Sequence, residues 1–211
     1  MLLLAFDTAT QAVTVALHDG DRVLAERTMI DGRRHAELLA PGIAHVLADA
    51  GATASDLTAV AVGVGPGPFT GLRVGLVTAR ALADALSIPV TGVCTLDILA
   101  AEVAASDRFL VATDARRREV YWAVYDETGR RTEGPHVDRP ADVDWSGASY
   151  GAGALLYRDH FANARAPELP NAGVLAQLVV RGTVTTLPPD PLYLRRPDAV
   201  EPGTRKVVTP A

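Results

Sequence analysis

The sequence predicts an α/β protein made of two halves built on one plan. An apolar strand ending in aspartate, followed by a strand hairpin, occurs at residues 2–20 and again about 107 residues later. Segments with helical spacing lie between the strand-like runs, and this alternation is typical of α/β folds. A repeat near the midpoint of 211 residues indicates duplication. We therefore predict an N-terminal lobe over residues 1–104, a C-terminal lobe over 105–198 and a loose tail over 199–211.

Three strands are predicted at the start of the chain. Residues 2–6 are a continuous apolar run, as in a strand that is buried on both faces. Residues 13–17 alternate between apolar and small or polar side chains, which predicts a second strand. Asp19-Gly20 is a hairpin turn signal, so the chain should return through a third strand at residues 23–29.

Two helices and a further strand complete the predicted first half. Residues 36–50 have helical spacing and end before Gly51, which is a helix stop signal. Pro41 lies inside this pattern, so the first turn of the helix is expected to be separate or kinked. Residues 59–64 resemble a buried strand, and residues 69–86 have helical spacing again.

The second strand hairpin copies the first. At a constant offset of 107 residues, Asp7 maps onto Asp114 and Val13 onto Val120. Beyond this hairpin the chain is polar and contains prolines from residue 130 to 146. We expect a helical segment from residue 149 to 164, and the spacing over residues 171–181 predicts another short helix.

Composition excludes several classes of protein. The chain has 20 basic and 25 acidic residues, and neither half is basic, which argues against a protein that grips nucleic acid unaided. Cys94 is the only cysteine, so we expect neither an internal disulfide nor a cysteine-rich zinc site. No leader and no apolar run long enough for a membrane are visible, which predicts a cytoplasmic protein. Arg116 to Arg118 form the densest basic cluster, and the sequence assigns them no role.

Asp7 and Thr8 are the candidates for chemistry in the first half. A carboxylate and a hydroxyl at the end of a strand could hold a hydrated Mg²⁺ and a nucleotide phosphate. The same residues could equally well cap a turn. Asp114 has the same two interpretations, and if the halves face each other the two aspartates would meet across one cleft. Arg116 weakens the ATPase interpretation, because close approach of phosphates favours glycine at such a position.

The segment from Gly65 to Gly75 joins a strand to a helix, where backbone N–H groups can bind anions. It matches neither of the glycine-rich phosphate-binding patterns, and Pro66 and Pro68 each remove a donor. Small residues at four-residue spacing instead predict that two helices approach each other closely. The two rows are Ala36, Ala40, Ala44 and Ala48, and Gly71, Gly75, Ala79 and Ala83. Either these helices pack only on their own sheet, or they also offer a face to another chain, with Arg73 and Arg80 at its rim.

Together the motifs resemble the TsaB (YeaZ) family, in the same order along residues 1–196. They are Asp7-Thr8-Ala9-Thr10, Arg34-His35-Ala36-Glu37-Leu38-Leu39, Gly65-Pro66-Gly67-Pro68-Phe69-Thr70-Gly71-Leu72-Arg73-Val74-Gly75, Asp114-Ala115-Arg116-Arg117-Arg118-Glu119-Val120-Tyr121 and Tyr193-Leu194-Arg195. The resemblance implies the two-lobed actin-like ATPase (ASKHA) fold, with duplicated mixed sheets. It also implies a role in the machinery that places N6-threonylcarbamoyl on the adenosine beside the anticodon of tRNA.

In that machinery the resemblance implies a TsaD-like catalytic subunit as partner and a TsaE-like ATPase in a ternary complex. ATP and Mg²⁺ would then be used by the partners, tRNA would be contacted indirectly, and this chain alone could form a homodimer. The metal-binding histidines of TsaD-like sequences would fall here on Thr95 and Leu99, which are poor ligands. We therefore expect no metal, no cofactor and no catalysis of its own, and a degenerate nucleotide site.

The resemblance also implies which residues meet the partner. They are Ala36, Ala40, Ala44, Gly71, Arg73, Gly75 and Ala79. On this expectation, Gly75→Leu would abolish a heterodimer and leave the monomer folded. An ATP-dependent phosphotransferase or weak ATPase that uses Asp7, Thr8 and Asp114 is the alternative function. A peptidase is disfavoured, because the sequence shows neither a nucleophile elbow nor a zinc-binding histidine pair.

Overall fold

The computed structural model describes residues 1–195 and places eleven strands in two sheets. The strands are β1 (Leu3–Asp7), β2 (Ala12–His18), β3 (Val23–Ile30), β4 (Ala59–Gly63), β5 (Val90–Val93), β6 (Phe109–Asp114), β7 (Val120–Tyr125), β8 (Arg131–Asp138), β9 (Ser149–Tyr150), β10 (Ala164–Arg165) and β11 (Thr186–Leu187). The helices are α1 (His35–Asp49), α2 (Phe69–Leu86), α3 (Thr95–Ala100), α4 (Ala152–Leu156) and α5 (Ala172–Arg181). Among residues 1–195, no helix is long and apolar enough to cross a membrane. The predicted tail over 199–211 lies outside the described residues.

The first sheet has the strand order β11-β5-β4-β1-β2-β3. Strands β1, β2 and β3 are antiparallel, whereas β4 runs parallel to both β1 and β5. The tight turn after His18 produces the antiparallel pair, and α2 provides the crossover that a parallel pair requires. The three strands and two helices predicted for the first half are therefore confirmed.

The second sheet, β10-β9-β6-β7-β8, repeats this plan with the same directions. Two α/β lobes with duplicated mixed sheets confirm the predicted two-lobed architecture. The constant offset of 107 residues between the two halves does not hold after the turn between β1 and β2, which corresponds to the turn between β6 and β7. Asp7 pairs with Thr14, whereas Asp114 pairs with Val120, so the second turn is one residue shorter and Val120 corresponds to Thr14.

The first sheet is covered by helices on both faces. Because successive strand residues point to opposite faces, Leu4 and Phe6 pack against α1 and α2, while Leu3 and Ala5 pack against α5. The continuous apolar run of β1 is explained by this two-sided burial.

The lobes exchange helices. Helix α3, from the first half of the chain, packs against Phe109 and Val111 of the second sheet, and α4 covers the opposite face of that sheet. Helix α5, from the second half, packs on the first sheet, and β11 extends that sheet beside β5. The predicted lobe boundaries of 1–104 and 105–198 are therefore too simple, since each sheet is completed by residues from the other half.

Other local predictions need correction. Helix α1 is continuous, because Pro41 lies on its exposed side, where water can reach the carbonyl that loses its donor. The polar stretch after residue 130 contains β8, an edge strand whose half-exposed position tolerates polar side chains. Helix α4 ends at Leu156, and most of the stretch predicted as helix up to residue 164 is turn.

We predict that Leu175→Ala lowers the free energy of unfolding by about 2–5 kcal/mol, because it leaves a cavity between α5 and the first sheet. Leu175 is fully buried there with Leu3, Ala5 and Ala61. Urea denaturation measures the loss. Leu156→Ala, at an exposed leucine of α4, is the control and should change stability by less than about 0.5 kcal/mol. Equal effects of the two substitutions would contradict the assignment of α5 to the first sheet.

Candidate functional site

The turn after β1 is tied to the rest of the first lobe through Asp7. This carboxylate is fully buried. One oxygen, Oδ1, accepts a hydrogen bond of 2.7 Å from the backbone N–H of Ala9, and Oδ2 accepts one of 2.6 Å from the hydroxyl of Thr95. Burial raises the pKa of Asp7 above the ordinary value of 3.8, and the two hydrogen bonds lower it in part. Both carboxylate oxygens are thus engaged inside the protein.

Thr8 joins the same turn to helix α2. Its hydroxyl donates to the carbonyl of Gly71 at 2.8 Å and accepts from the N–H of Gly75 at 3.1 Å. The side chain is buried between the turn and the helix. Thr8 therefore holds the first turns of α2 against the end of β1, and its hydroxyl has no free direction toward solvent.

Four glycines at four-residue spacing make this close approach possible: Gly63, Gly67, Gly71 and Gly75. A Cβ at Gly63 would overlap the Asp7 carboxylate, and one at Gly67 would overlap the carbonyl of Ala9. A Cβ at Gly75 would overlap the Thr8 hydroxyl. At Gly71 it would lie 2.6 Å from the carbonyl of Thr8. The glycine-rich motif thus packs on residues 7–9 of the same chain.

The two positions that correspond to metal-binding histidines have structural roles. Thr95 donates to Asp7 and accepts a hydrogen bond from the backbone N–H of Gly65 at 3.2 Å. Leu99 is completely buried in the core around α3. Within residues 1–195, no group of three or more His, Cys, Asp and Glu side chains is placed to hold a metal ion.

The structure separates the four residues of the predicted degenerate nucleotide site. Asp7 and Thr8 lie inside the first lobe, whereas Asp114 and Arg116 line a cleft between the loops that follow β1 and β6. Asp114 is one-quarter exposed and forms an ion pair of 3.3 Å with the Arg116 guanidinium. The expectation that the two aspartates meet across one cleft is therefore wrong, because hydrogen bonds turn Asp7 into the core.

The loop from Arg116 to Arg118 forms a left-handed turn. All three arginines have positive φ angles, between 55° and 62°, which cost non-glycine residues free energy. Asp114 supports the turn by accepting a 2.8 Å hydrogen bond from the Arg116 N–H. Arg195 supports it from the other side, donating to the carbonyl of Ala115 at 2.9 Å and pairing with Glu119. Of the cluster that the sequence left without a role, Arg116 lines the cleft.

The two rows of small residues do not face each other. Gly71, Gly75 and Ala79 are buried beneath α2, whereas the alanine row of α1 lies on the exposed side of that helix. The predicted contact between the rows is therefore wrong, since each row takes a different environment. Of the residues expected to meet a partner, Ala36, Ala40, Ala44 and Arg73 are exposed, and the three buried ones are unavailable.

An aromatic cluster on the outer side of α2 was not predicted. The Arg73 guanidinium lies 3.5 Å from the centre of the Phe69 ring, which stacks on Tyr193 at 5.1 Å. Arg73 also donates to the Tyr193 hydroxyl at 2.8 Å, and two turns further along α2 Arg80 pairs with Asp190. The Tyr193-Leu194-Arg195 motif was visible in the sequence, but its distance of 120 residues from Arg73 concealed the contact.

Comparison with known proteins places the chain among relatives of similar size. Residues 23–191 match the family model "TsaD: tRNA N6-adenosine threonylcarbamoyltransferase". A protein of Mycobacterium tuberculosis is 50% identical over 202 residues, covering 93% of each chain. The tRNA threonylcarbamoyladenosine biosynthesis protein TsaB of Escherichia coli is 40% identical over 134 residues, which are 61% of this chain and 58% of that protein.

Solved structures agree with these matches. YeaZ from Pseudomonas aeruginosa has a TM-score of 0.73 and 33% identity, over 88% of this chain and 96% of that one. A further structure, described as an uncharacterised protein with similarity to peptidase YeaZ from the same species, has a TM-score of 0.78 and 33% identity. That match covers 92% of this chain and 99% of the other.

We predict that Gly75→Leu destabilises the fold by about 3 kcal/mol, because the new side chain overlaps Thr8. The expectation that this substitution removes only partner binding is therefore wrong. Chemical denaturation of the isolated chain measures the effect. Ala81→Leu, at an exposed position of the same helix, is the control and should stay within about 0.5 kcal/mol of the wild type. Wild-type stability of Gly75→Leu would refute the role of the glycine row.

We predict that Asp7→Asn flattens the dependence of stability on pH. Because burial raises the pKa of Asp7 in the folded state, its contribution to stability is complete below pH 3.8 and is lost as the pH rises through the raised pKa. Asp97 and Glu102 shift in the same direction, so the variant removes only part of the slope. Urea denaturation from about pH 4 to pH 8 compares the two proteins. Parallel curves would show that Asp7 is not shifted.

Proposed function

The chain belongs to the TsaB (YeaZ) group of the TsaD family, and we propose that it is a non-catalytic partner subunit of tRNA modification. In this proposal it binds a TsaD-type catalytic subunit and supports N6-threonylcarbamoylation of the adenosine next to the anticodon. The printed names of the Escherichia coli and Bacillus subtilis relatives, tRNA threonylcarbamoyladenosine biosynthesis protein TsaB, support the pathway. Its cytoplasmic location is part of the same proposal.

The absence of catalysis by this chain is supported by the state of Asp7. An aspartate that serves a magnesium nucleotide must present its oxygens to the cleft. Here Ala9 and Thr95 occupy both oxygens, and burial disfavours the ionised form. This internal use of Asp7 is the observation that carries the non-catalytic assignment. The alternative of an ATPase that uses Asp7, Thr8 and Asp114 loses two of its three groups.

The cleft itself argues in the same direction. Its two parts, which share Thr10, Pro68 and Arg116, have volumes of about 130 Å³ and about 250 Å³. Sites that hold cofactors or drug-sized ligands usually enclose about 300–1,000 Å³. Arg116 also lies in the cleft, where close approach to phosphates would favour glycine. We propose accordingly that ATP and Mg²⁺ are used by the partner subunits.

The partner surface we propose is the outer side of α1 and α2, which pack side by side on the first sheet. Val77 is 65% exposed at its centre and offers an aliphatic side chain to a partner. The alanines of α1 add a flat area, because they project little from the helix. Arg73 and Phe69 border this surface at the start of α2, where a charged rim is typical of interfaces.

The geometry of α2 explains why such a surface would be rigid. The buried side of the helix is fixed by Gly71, Gly75 and Thr8, so the opposite side is presented in one orientation. Rigid surfaces lose less conformational entropy on association. The proposal has three further parts. A TsaE-type ATPase joins the two subunits in a ternary complex, and tRNA is contacted indirectly. The chain alone self-associates through the same surface.

The test is light scattering on a sizing column with the chain alone and mixed with the TsaD-type protein of the same organism. We expect a stable one-to-one complex. Val77→Glu should weaken it at least about tenfold, because a charge would be buried in the interface. Leu156→Glu is the matched control, since Leu156 is 59% exposed in the second lobe, and it should leave the complex unchanged.

Two results would contradict the proposal. If wild-type protein fails to associate, with or without nucleotide and Mg²⁺, the partner role loses its support. If both glutamate variants bind as tightly as the wild type, the partner role stands and the surface is located elsewhere.

A further inference from the structure

The part of the cleft beside Asp114 is small and rich in polar groups. Its wall is formed by Thr10, Gln11, Thr113, Asp114 and Arg116, with Pro68, Ala152 and Leu156 as apolar neighbours. A volume of about 130 Å³ is enough for a molecule of a few heavy atoms. The question is which kind of small molecule matches this set of groups.

Thr113 provides the first indication. The residue is 3% exposed, and its hydroxyl has no hydrogen-bond partner within the protein. Leaving a buried polar group unsatisfied costs about 1–3 kcal/mol, so such groups usually have a partner in the functional state. Because Thr113 lines the cleft, a molecule bound there could supply the missing hydrogen bond.

Asp114 and Arg116 provide the second indication. They place opposite charges side by side in the cleft, 3.3 Å apart. The carboxylate uses one oxygen for the Arg116 N–H and the other for its guanidinium, and each oxygen can accept a further hydrogen bond. The guanidinium is more than half exposed, so its remaining N–H groups are open to a ligand.

This pair selects against ligands with a single charge. An inorganic anion would be attracted by Arg116 and repelled by Asp114 at nearly the same distance, and a simple cation would meet the reverse. A zwitterion satisfies both groups at once. A carboxylate can pair with a guanidinium through two parallel hydrogen bonds, and an ammonium group is a good donor to a carboxylate.

We infer that this cleft binds a small zwitterion, specifically a free α-amino acid with a short side chain. The ligand carboxylate pairs with Arg116, its ammonium group donates to Asp114, and the Thr113 hydroxyl makes the third polar contact. The cleft volume limits the side chain to about the size of valine. Arg116 and Pro68 also line a groove with Ala36 and Phe69 beside the α1–α2 surface, but amino-acid binding in the cleft does not depend on the proposed partner role.

The left-handed turn is consistent with this site. It holds the Arg116 side chain over the cleft although positive φ angles at three successive arginines are unfavourable. Such strained backbone is often found where a ligand is clamped. Arg195 and Glu119 brace the turn from outside the cleft.

The experiment is isothermal titration of the full chain, alone, with glycine, alanine, valine, phenylalanine and tryptophan. We expect saturable binding of the first three with a dissociation constant at or below about 1 mM, and none of the two large ones. N-acetylalanine lacks the ammonium group and alanine amide lacks the carboxylate. Each should bind at least about tenfold more weakly than alanine.

Two variants test the assigned contacts. Arg116→Gly should weaken alanine binding at least about tenfold. Arg118→Gly is the control and should leave binding unchanged, because Arg118 has nearly the same left-handed φ angle but does not line the cleft. Thr113→Val should also weaken binding and leave the melting temperature of the free protein unchanged or higher, because the hydroxyl it removes has no partner within the free protein.

Several outcomes would overturn the inference. One is equal binding of alanine and its blocked derivatives. Another is tighter binding of inorganic phosphate than of any amino acid, which would make the cleft an anion site. Absence of heat with every amino acid would mean that water alone fills it. Because the titration uses the isolated chain, each of these results leaves the partner proposal untouched.

Discussion

The packing of residues 7–9 onto the glycine row is the contact on which the first lobe depends. Three elements converge there: the end of β1, the start of α2 and the start of α3. The buried Asp7 carboxylate links β1 to α3, and Thr8 links it to α2. A Cβ at Gly63 would overlap the Asp7 carboxylate, and one at Gly75 would overlap the Thr8 hydroxyl. Both links therefore require glycine at these positions. Burying a carboxylate is unfavourable, and its hydrogen bonds offset that cost only in part.

The same contact determines which way the end of β1 faces. The end of β1 is a place where a carboxylate could hold a magnesium ion. Here the Asp7 carboxylate faces the interior, and the Thr8 hydroxyl binds helix α2. Thr95 completes this arrangement by donating to Asp7. A substitution that turned Asp7 toward the cleft would leave Thr95 and Ala9 without their acceptor. Internal hydrogen bonds thus use both oxygens of the Asp7 carboxylate.

Local signals in the sequence predicted the strands, the long helices and the duplication, because each is encoded by apolar periodicity and turn residues. They could not predict the exchange of α3 and α5 between lobes, since a helix pattern states which face is apolar and not which sheet it covers. The four-residue spacing correctly indicated a close approach at Gly71 and Gly75. The predicted neighbour, the alanine row of α1, was wrong. Gly71 and Gly75 contact Thr8 instead, which lies more than sixty residues earlier in the chain. The unpartnered hydroxyl of Thr113 is likewise invisible without coordinates.

The two sides of α2 have opposite requirements, and this division shapes the whole first lobe. Its inner side must carry small side chains, so that the turn after β1 can contact the helix backbone. Glycine and alanine meet this need. Bare positions weaken a helix, because glycine costs about 1 kcal/mol relative to alanine in its interior. The Thr8 hydroxyl donates to the Gly71 carbonyl and accepts from the Gly75 N–H, and these two hydrogen bonds stabilise the helix at its glycines. The outer side exposes Val77, while the inner contacts hold the helix on the sheet. A surface that is apolar, exposed and held rigidly from beneath is suited to binding another protein.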